Sequence, residues 1–261
     1  MRLASLLTLT QLIVTTRNWS VALSDYLGRT KSQTIELVTR SGIPCLMRAK
    51  TTDLSIYLEV FVKKVYNPRG FEIHAGDVVV DVGAHIGVFT VFAASLAKSG
   101  RVYAFEPDNR NFEMLLTNVE LNHLTNVVPS KVALAGSTGR RALYLAEDGG
   151  WSSFFKLEHL NGETETEALS LRDALALNKI ERVDFLKMDC EGAEYEILFG
   201  CPDDTLSAVS RISMECHDMD NKLTTENMML YLEGKGFSVR MVTDPENRRM
   251  HLVYASRTQI T

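Results

Sequence analysis

The chain has 261 residues, of which 45% are apolar and 23% charged, and its formal net charge at pH 7 is −5. These values are typical of a folded globular protein, and they argue against a nucleic-acid binder held by overall charge. The four cysteines form no C-x-x-C pair and no zinc-type spacing, so we expect reduced thiols and a cytoplasmic location.

The N-terminal run Leu3–Val14 is apolar enough to resemble the hydrophobic part of a signal peptide. Thr8, Thr10 and Gln11 interrupt it, no small-residue cleavage site follows, and it is too short to span a bilayer. We therefore expect a helix packed on the domain. The alternative is an amphipathic helix that touches a membrane surface.

The first part of the chain, residues 1–70, is predicted to form helices and a hairpin packed on the core. One or two helices occupy residues 1–30, and the extended segments Thr34–Thr39 and Cys45–Arg48 flank a turn signal. Leu54–Val65 has apolar residues at helical spacing, so a helix is predicted there.

Residues 71–261 alternate between strand-like and helix-like patterns, which predicts a mostly parallel sheet with helices on both faces. The predicted strands are Asp77–Val82, Arg101–Phe105, Val127–Leu134, Val183–Met188 and Arg211–Glu215. The predicted helices are Val88–Ala97, Asn109–Asn122, Leu171–Leu177, Ala193–Phe199 and Thr225–Lys235.

Two further segments depart from this alternation. Phe237–Thr243 and Arg249–Ala255 are joined by too few residues for a crossover, so we expect an antiparallel hairpin at the end of the sheet. Arg141–Leu145 is expected to be an extended arm, and Asp148–Gly162 a polar loop that carries Trp151, Phe154 and Phe155.

The segment Val78–Gly87 is predicted to be a buried strand followed by a glycine turn and a helix, as in nucleotide-binding folds. Gly83 and Gly87 are four residues apart, whereas the last two glycines of a dinucleotide fingerprint are three apart. Asp81 stands where that fingerprint has its first glycine, and an anion there would repel a pyrophosphate. The pattern favours a ligand with cationic and hydroxyl groups, such as S-adenosylmethionine (SAM).

Glu106 ends the second predicted strand, where doubly wound folds place an acidic residue against ribose hydroxyls. A carboxylate can accept hydrogen bonds from both hydroxyls, and Pro107 stiffens the adjoining turn. The alternative for Glu106 is a plain surface carboxylate.

The fourth predicted strand leads into Asp189 and Glu191, at the sheet edge where open α/β folds bind ligands. Two neighbouring carboxylates hinder each other's ionisation, so one of them is a candidate base. The alternative is that Asp189 caps the next helix while Glu191 and Glu194 are solvated acids of its first turn.

His217 ends the fifth predicted strand, and it would lie beside Asp189 if the fourth and fifth strands are neighbours. Histidine is a common general base near neutral pH, although a histidine at a strand end is often only a hydrogen-bonded surface group. Asp189, Glu215 and His217 also have the donor types of a Mg²⁺ or Mn²⁺ site, an alternative that we do not favour because spacing alone does not define such a site.

Three motifs together resemble the FkbM family of SAM-dependent methyltransferases. They are the turn Asp81–Gly87, the strand end Phe105–Pro107, and the run Lys187–Glu194 with its Asp-x-Glu-Gly-x-Glu pattern. The resemblance covers residues 53–217 and implies a Rossmann-like class I methyltransferase sheet. It also implies O-methylation of a hydroxyl on a sugar, polyketide or other small natural product.

The resemblance extends upstream to Asp53 and Tyr66, which would fold over the cofactor, whereas His85 departs from the asparagine usual in the family. Asp81 would hold the ammonium group of SAM or an ordering water, and Val132 would lie along the adenine. The cofactor-binding residues implied are Tyr66, Asp81, Gly83, Ala84, Gly87, Glu106, Pro107, Val132 and Asp189.

The implied reaction is in-line attack of a substrate hydroxyl on the SAM methyl group, with Asp189, Glu191 or His217 as the base. We expect a small-molecule or glycan substrate, and the loop around Trp151 is a candidate substrate lid or a hydrophobic plug. One rival is a nucleic-acid methyltransferase, but an Asp/Asn-Pro-Pro-aromatic strand end is missing at Asp189. The other is a non-catalytic SAM-fold scaffold, against which the intact Asp81, Gly83 and Glu106 argue.

Overall fold

A computed structural model describes residues 6–146, 152–154, 162–243 and 250–257. The described strands are β1 (Thr34–Val38), β2 (Pro44–Arg48), β3 (Val78–Val82), β4 (Arg101–Phe105), β5 (Val127–Ser130), β6 (Ala133–Ala135), β7 (Gly139–Leu145), β8 (Ser152–Ser153), β9 (Gly162–Ser170), β10 (Phe185–Met188), β11 (Arg211–His217), β12 (Ser238–Thr243) and β13 (Met250–Ser256). The described helices are α1 (Leu6–Thr15), α2 (Trp19–Tyr26), α3 (Asp53–Tyr57), α4 (Val88–Ala97), α5 (Asn109–Leu121), α6 (Leu171–Leu177), α7 (Glu194–Phe199), α8 (Asp203–Ser207) and α9 (Thr225–Gly234).

The main sheet has seven strands in the order β12-β13-β11-β10-β3-β4-β5. The pairs that join β11, β10, β3, β4 and β5 are parallel, and β13 pairs antiparallel with both β11 and β12. The prediction of a mostly parallel sheet with a C-terminal antiparallel hairpin is confirmed. The fourth and fifth core strands are neighbours, as the β10–β11 pair shows, which is the condition set above for His217 to lie near Asp189.

The strand order places a topological switch point between β3 and β10. From β3 the chain builds the sheet outward through β4 and β5, and it then returns to add β10 and β11 on the other side. In open α/β sheets, ligands bind beyond the carboxyl ends of the strands at such a switch point. The glycine turn and the acidic run both lie at this edge.

The first helices and the β1–β2 hairpin share a hydrophobic cluster with the main sheet. Leu12 of α1, Met47 of β2 and Tyr57 of α3 belong to the same cluster of buried side chains as Phe89 of α4 and Phe185 of β10. Helix α4 is buried on nearly all sides, as expected for a helix that is apolar around its circumference. Among the described helices, none is long and apolar enough to cross a membrane.

The predicted helix Leu54–Val65 has two parts in the structure. The α-helical turn α3 is followed directly by a π-helix over Leu58–Lys63, which ends at Lys64 in the left-handed region with φ 56°. Pro68 follows four residues later. A π-helix inserts a residue into the helical repeat, and spacing of apolar residues alone does not reveal this.

The prediction of one strand over Val127–Leu134 is wrong. β5 ends at Ser130, and β6 belongs to a second sheet in which the order is β6-β9-β7-β8. Pro129 lies within β5 and cannot donate a ladder hydrogen bond, which suits the edge position of this strand. The change of sheet leaves Val132 half-buried between the two strands.

Strand β9 was not predicted, although it pairs antiparallel with β7 from Gly162↔Leu145 to Ala168↔Gly139. Its sequence alternates glutamate with threonine, so it lacks the apolar face that identifies a half-buried strand. The predicted polar loop before it is described only at residues 152–154, where Ser152 and Ser153 form β8. Trp151 and Phe155 lie outside the described residues.

The close approach of the first turn to the β10 loop predicts a large cost for Gly83→Ala. Gly83 has φ +72°, and a Cβ atom there would lie 1.9 Å from the backbone oxygen of Asp189. Gly28 has φ +68° with nothing within 4 Å of the added atom, so Gly28→Ala is a matched control for backbone strain alone. We expect Gly28→Ala to lower the free energy of unfolding by about 1 kcal/mol and Gly83→Ala by about 3 kcal/mol or more.

Urea denaturation of the two variants followed by circular dichroism measures this difference. Equal losses for the two alanine variants would show that the turn and the β10 loop are not packed as closely as described.

Candidate active site

A buried ion pair lies at the switch point. Lys187 of β10 is in register with Asp81 of β3, and its Nζ lies 3.2 Å from Asp81 Oδ1. Both side chains are almost fully buried, with 4% and 0% of their surface exposed. Thr90 of α4 donates a 2.6 Å hydrogen bond to Asp81 Oδ2, and Lys187 Nζ donates to the Gly83 carbonyl at 2.8 Å. The pair therefore ties β3, β10, α4 and the glycine turn together.

The charge state of Lys187 follows from competing effects. Burial alone lowers the pKa of the ammonium, but the charges of Asp81 and Asp189 outweigh it, so the pKa of Lys187 is raised above its ordinary value. Asp81 accordingly faces an ammonium and a hydroxyl inside the protein. Through these contacts Asp81 supports the glycine turn, and its contact with the ammonium group of SAM or with an ordering water stays a prediction.

The glycine turn is fixed to the end of β4. The amides of Gly83 and Ala84 both donate to the Phe105 carbonyl, at 3.1 and 3.0 Å. The His85 amide donates to Glu106 Oε2 at 2.7 Å. Gly83, His85 and Gly87 all have positive φ, and the space beside Gly87 is filled by a side chain of α5, so the turn is both tightly wound and tightly packed.

Glu106 lies at the end of β4 and is almost fully buried. Its Oε1 accepts a 2.9 Å hydrogen bond from the Asp108 amide, and its Oε2 accepts from His85. Burial raises the pKa of Glu106 to about 7, against the lowering effect of these two amide bonds. Pro107 follows, half-buried, and Asp108 then caps α5.

His85 is joined to the N-terminal hairpin. Arg48 of β2 donates to Asp53 Oδ1 at 2.8 Å through Nη2 and to Asp53 Oδ2 at 2.9 Å through Nε. The same Nη2 lies 3.1 Å from His85 Nε2. Because a guanidinium only donates, this contact requires a lone pair on Nε2. Arg48 thus links the buried Asp53 to His85 of the glycine turn.

The loop after β10 has a strained backbone that several hydrogen bonds hold. Glu191 has φ 54° and Gly192 has φ 99°. Glu194 accepts from the amides of Cys190 and Gly192, at 2.9 and 2.8 Å. Ser153 Oγ of β8 donates to the Glu191 carbonyl at 2.9 Å. A non-glycine residue with positive φ persists only where its surroundings hold it, and such residues are frequent at functional sites.

These contacts decide between the alternatives for the acidic residues. α7 begins after Ala193 with no side-chain cap, so Asp189 does not cap it. Glu194 is fully buried and organises the preceding loop, which a solvated acid of the first turn would not do. Asp189 and Glu191 are half-buried at the edge of the sheet.

Glu191 and His217 form an acid–base pair at this edge. His217 Nε2 lies 3.6 Å from Glu191 Oε2, and His217 Nδ1 lies 4.0 Å from Glu194 Oε1. Burial raises the pKa of Glu191 to about 7, although His217 acts in the opposite direction. The pKa of His217 is raised, because the charges of Glu194, Glu191 and Asp189 outweigh the lowering effect of its burial.

Tyr66 connects two further carboxyl groups beneath the edge. Its hydroxyl lies 3.0 Å from Asp189 Oδ2 and 2.6 Å from Glu215 Oε1. The ring is buried and packs edge-on against Phe89, and Lys187 Nζ lies 5.3 Å from the ring centroid. Tyr66 is thus placed among carboxyl groups, beneath the cleft edge.

The predicted residues lie in three places. The glycine turn, Glu106 and Pro107 lie at the ends of β3 and β4. Asp189, Glu191 and His217 lie at the ends of β10 and β11. Val132 lies beyond β5, whose Ser130 carbonyl accepts a hydrogen bond from the Glu106 amide at 3.1 Å. Within the described ranges no group of three or more histidine, cysteine, aspartate or glutamate side chains has the geometry to hold a metal ion.

No role was predicted for Lys187 or Ser153. The only role considered for Glu194 was that of a solvated acid in the first turn of a helix. A lone lysine within the apolar run Phe185–Met188 is a signal for a buried ion pair, since lysine is rarely buried without a partner. No comparable signal identifies Ser153, because it is brought to the loop by a second sheet that was itself unpredicted.

The sheet resembles that of SAM-dependent methyltransferases, because a glycine turn follows β3 and acidic residues end β4 and β10 at the switch point. A family model described as the methyltransferase FkbM domain matches residues 81–239. The chain belongs to the FkbM methyltransferase family, and SAM is its cofactor.

Curated relatives agree with this assignment. The chain is 29% identical to 31-O-demethyl-FK506 methyltransferase FkbM of Streptomyces tacrolimicus over 234 residues, which cover 78% of this chain and 89% of that protein. It is 26% identical to methyltransferase 1 of Beauveria bassiana over 77% of this chain and 89% of that protein.

A solved structure of a methyltransferase FkbM from Methylobacillus flagellatus has a TM-score of 0.51 and 16% sequence identity to this chain. The similarity covers 77% of this chain and 53% of the solved one, so the present chain spans about half of the solved chain's length. At this identity the match supports the fold.

The buried ion pair predicts a strong coupling between Lys187 and Asp81. We expect Lys187→Met to lower the free energy of unfolding by about 3–5 kcal/mol, because it leaves a buried carboxylate without its cation. Adding Asp81→Asn should recover most of that loss, since an asparagine still accepts from Thr90 and needs no cation. Chemical denaturation of both single variants and the double variant measures the coupling, and additive losses would contradict it.

Proposed function

We propose that this protein transfers the methyl group of SAM to a hydroxyl oxygen of a sugar, polyketide or other small natural product. The observation that carries the proposal is the half-buried Glu191–His217 pair, 3.6 Å apart, at the sheet edge where the family's cofactor binds. A hydroxyl is a weak nucleophile until its proton is removed. This pair offers a carboxyl group whose pKa is raised by burial to about 7 and a histidine whose pKa is raised by the nearby carboxyl groups.

The residues at the edge fit the chemistry of SAM. Its ribose carries hydroxyl donors and its methionine part an ammonium group, and both are matched by hydrogen-bond acceptors. Glu106 and Asp189 supply carboxyl oxygens, and the positive-φ turn at Gly83 brings the backbone close to the cleft. We propose Glu106 for the ribose and Asp189 for the ammonium group, with Ala84, Gly87 and Pro107 shaping the turn between them and Val132 beside the adenine.

When bound, SAM supplies a methyl group made electrophilic by its sulfonium. The protein must then align the acceptor oxygen with that group, exclude water and remove the hydroxyl proton. Asp189, Glu191 and His217 are the three candidates for the proton acceptor, because all three are half-buried at the cleft edge.

A relative that aligns with most of this chain is a 31-O-demethyl-FK506 methyltransferase, and that activity supports an oxygen acceptor for the present protein. The four cysteines are unpaired, which agrees with our proposal that the reaction takes place in the cytoplasm.

The assignment of Glu106 is tested by the affinity for SAM. We expect Glu106→Gln to weaken SAM binding in calorimetry by about tenfold or more, because a charge-assisted acceptor for the ribose hydroxyls is lost. Glu113→Gln removes an exposed carboxylate from α5 and serves as the matched control. Equal affinity of Glu106→Gln and the wild type, with unchanged unfolding midpoints, would remove Glu106 from the cofactor site.

The type of acceptor is tested with methyl-labelled SAM and a panel of hydroxylated glycans and natural products. We expect an O-methyl product, identified by mass spectrometry, and the same turnover with and without EDTA, since no metal is needed to ionise the hydroxyl when a base is present. A transfer-RNA sample is included as a separate arm. Methylation of its bases, or loss of turnover in EDTA, would contradict the proposed reaction.

A further inference from the structure

The hydroxyl of Tyr66 contacts two carboxyl groups but carries a single proton. It lies 2.6 Å from Glu215 Oε1 and 3.0 Å from Asp189 Oδ2. A single proton shared between two ionised carboxylates would hold two anions around one oxygen, because a carboxylate has no proton of its own to donate. That repulsion is avoided when one carboxyl group is protonated and donates to the Tyr66 oxygen, while the Tyr66 hydroxyl donates to the other.

Of the two carboxyl groups, Glu215 is the better placed to hold a proton. Only 7% of its surface is exposed, whereas the side chain of Asp189 is 27% exposed and lies 3.9 Å from the Lys187 ammonium. Burial, reinforced by the charges of Asp189 and Glu59, raises the pKa of Glu215 well above its ordinary value. Burial also raises the pKa of Tyr66, so its hydroxyl keeps its proton.

Charged groups surround this chain of hydrogen bonds. Lys187 faces Asp189 and Asp81 from β10, and Glu59 faces Tyr66 and Glu215 from the π-helix. The charge of Asp189 also acts on Glu191 and His217. The order along the chain of hydrogen bonds is Glu215, the Tyr66 hydroxyl and then Asp189, which lies beside the Lys187 ammonium.

We propose that Tyr66 and protonated Glu215 are positioning residues that hold the Asp189 side chain in place for the ammonium group of SAM, and that the Glu191–His217 pair accepts the substrate proton. This inference rests on the proposed function, because it divides roles within the same site. The Tyr66 hydroxyl orients the Asp189 side chain, which is 27% exposed and can therefore meet a cation at the edge of the sheet.

The Glu191–His217 pair is suited to accept a proton. Its two groups lie 3.6 Å apart, and burial raises the pKa of Glu191 to about 7, near the pH at which a general base is most effective. In the proposed step the substrate oxygen forms the new C–O bond while the S–C bond breaks with its electron pair left on sulfur. The hydroxyl proton passes to the pair and then to solvent.

The experiment measures SAM affinity by calorimetry, which needs no acceptor. We expect Asp189→Asn to lose about tenfold more affinity than Glu191→Gln, a matched carboxylate-to-amide change in the same loop. Tyr66→Phe should weaken binding about tenfold, because Asp189 then lacks the hydroxyl donor that orients it. Tyr231→Phe removes a hydroxyl bonded to the Leu198 carbonyl outside the site and is the control.

The protonation of Glu215 has its own test. Glu215→Leu should weaken SAM binding, and Glu215→Gln should restore most of it, because the amide donates to Tyr66 as the carboxylic acid does. At about pH 8.5 the infrared band of a protonated carboxylic acid should be present in the wild type and reduced in Glu215→Gln, since Glu106 and Glu191 are then ionised.

Each contrary outcome has a definite meaning. Equal losses for Asp189→Asn and Glu191→Gln, or a Glu215→Gln variant as weak as Glu215→Leu, would overturn the division of roles while leaving the proposed function intact. A wild-type protein that does not bind SAM would instead overturn the proposed function.

Discussion

The Lys187 ammonium is the interaction on which the candidate site depends. It is buried at the boundary between the two halves of the sheet, where it faces Asp81 on one side and Asp189 on the other. Burying a charged group is costly unless an opposite charge lies beside it. The Lys187 ammonium supplies that opposite charge for the neighbouring acidic residues. The same ammonium also holds the Gly83 carbonyl and so fixes the turn that follows β3.

Contacts that begin at this ammonium fix the groups at the edge of the sheet. The turn has its tight approach to Asp189 because residue 83 has no side chain, and the Glu106 carboxyl receives the His85 amide at the end of that turn. On the other side, Glu194 and Ser153 hold the strained Glu191 backbone. The half-buried groups that face the cleft are therefore fixed by fully buried ones behind them, as an active site requires.

Much of this arrangement could be predicted from the sequence because it depends on local patterns. The apolar β3 run, the glycine spacing and the acidic ends of β4 and β10 identify the fold and the cofactor edge, since the carboxyl ends of parallel strands meet there. β9 could not be predicted, because its alternation of threonine and glutamate lacks an apolar face. The split of β5 from β6 depends on which sheet accepts each strand, and no local pattern encodes that choice.

The roles of the individual acidic residues could not be predicted from the sequence either, for a related physical reason. Asp81 and Glu215 look like exposed strand-end carboxylates until the fold buries them, and burial together with a partner decides whether each is charged. The partner of Asp81 is Lys187, which is in register with it on β10. The partner of Glu215 is Tyr66, which lies 149 positions earlier in the chain. Such partners depend on tertiary contacts, so residue type and spacing identified the candidates without distinguishing their functions.

The central claim is that the groups at the ends of β3, β4, β10 and β11 form one SAM site with separate binding and proton-accepting sides. A crystal structure of the protein with SAM or its demethylated product, S-adenosylhomocysteine, tests it most directly. We expect the ribose to lie against Glu106 and the amino group against Asp189. The reacting sulfur should lie on the side of Glu191 and His217. A ligand bound away from Glu106, or with its amino group against His217, would contradict the account.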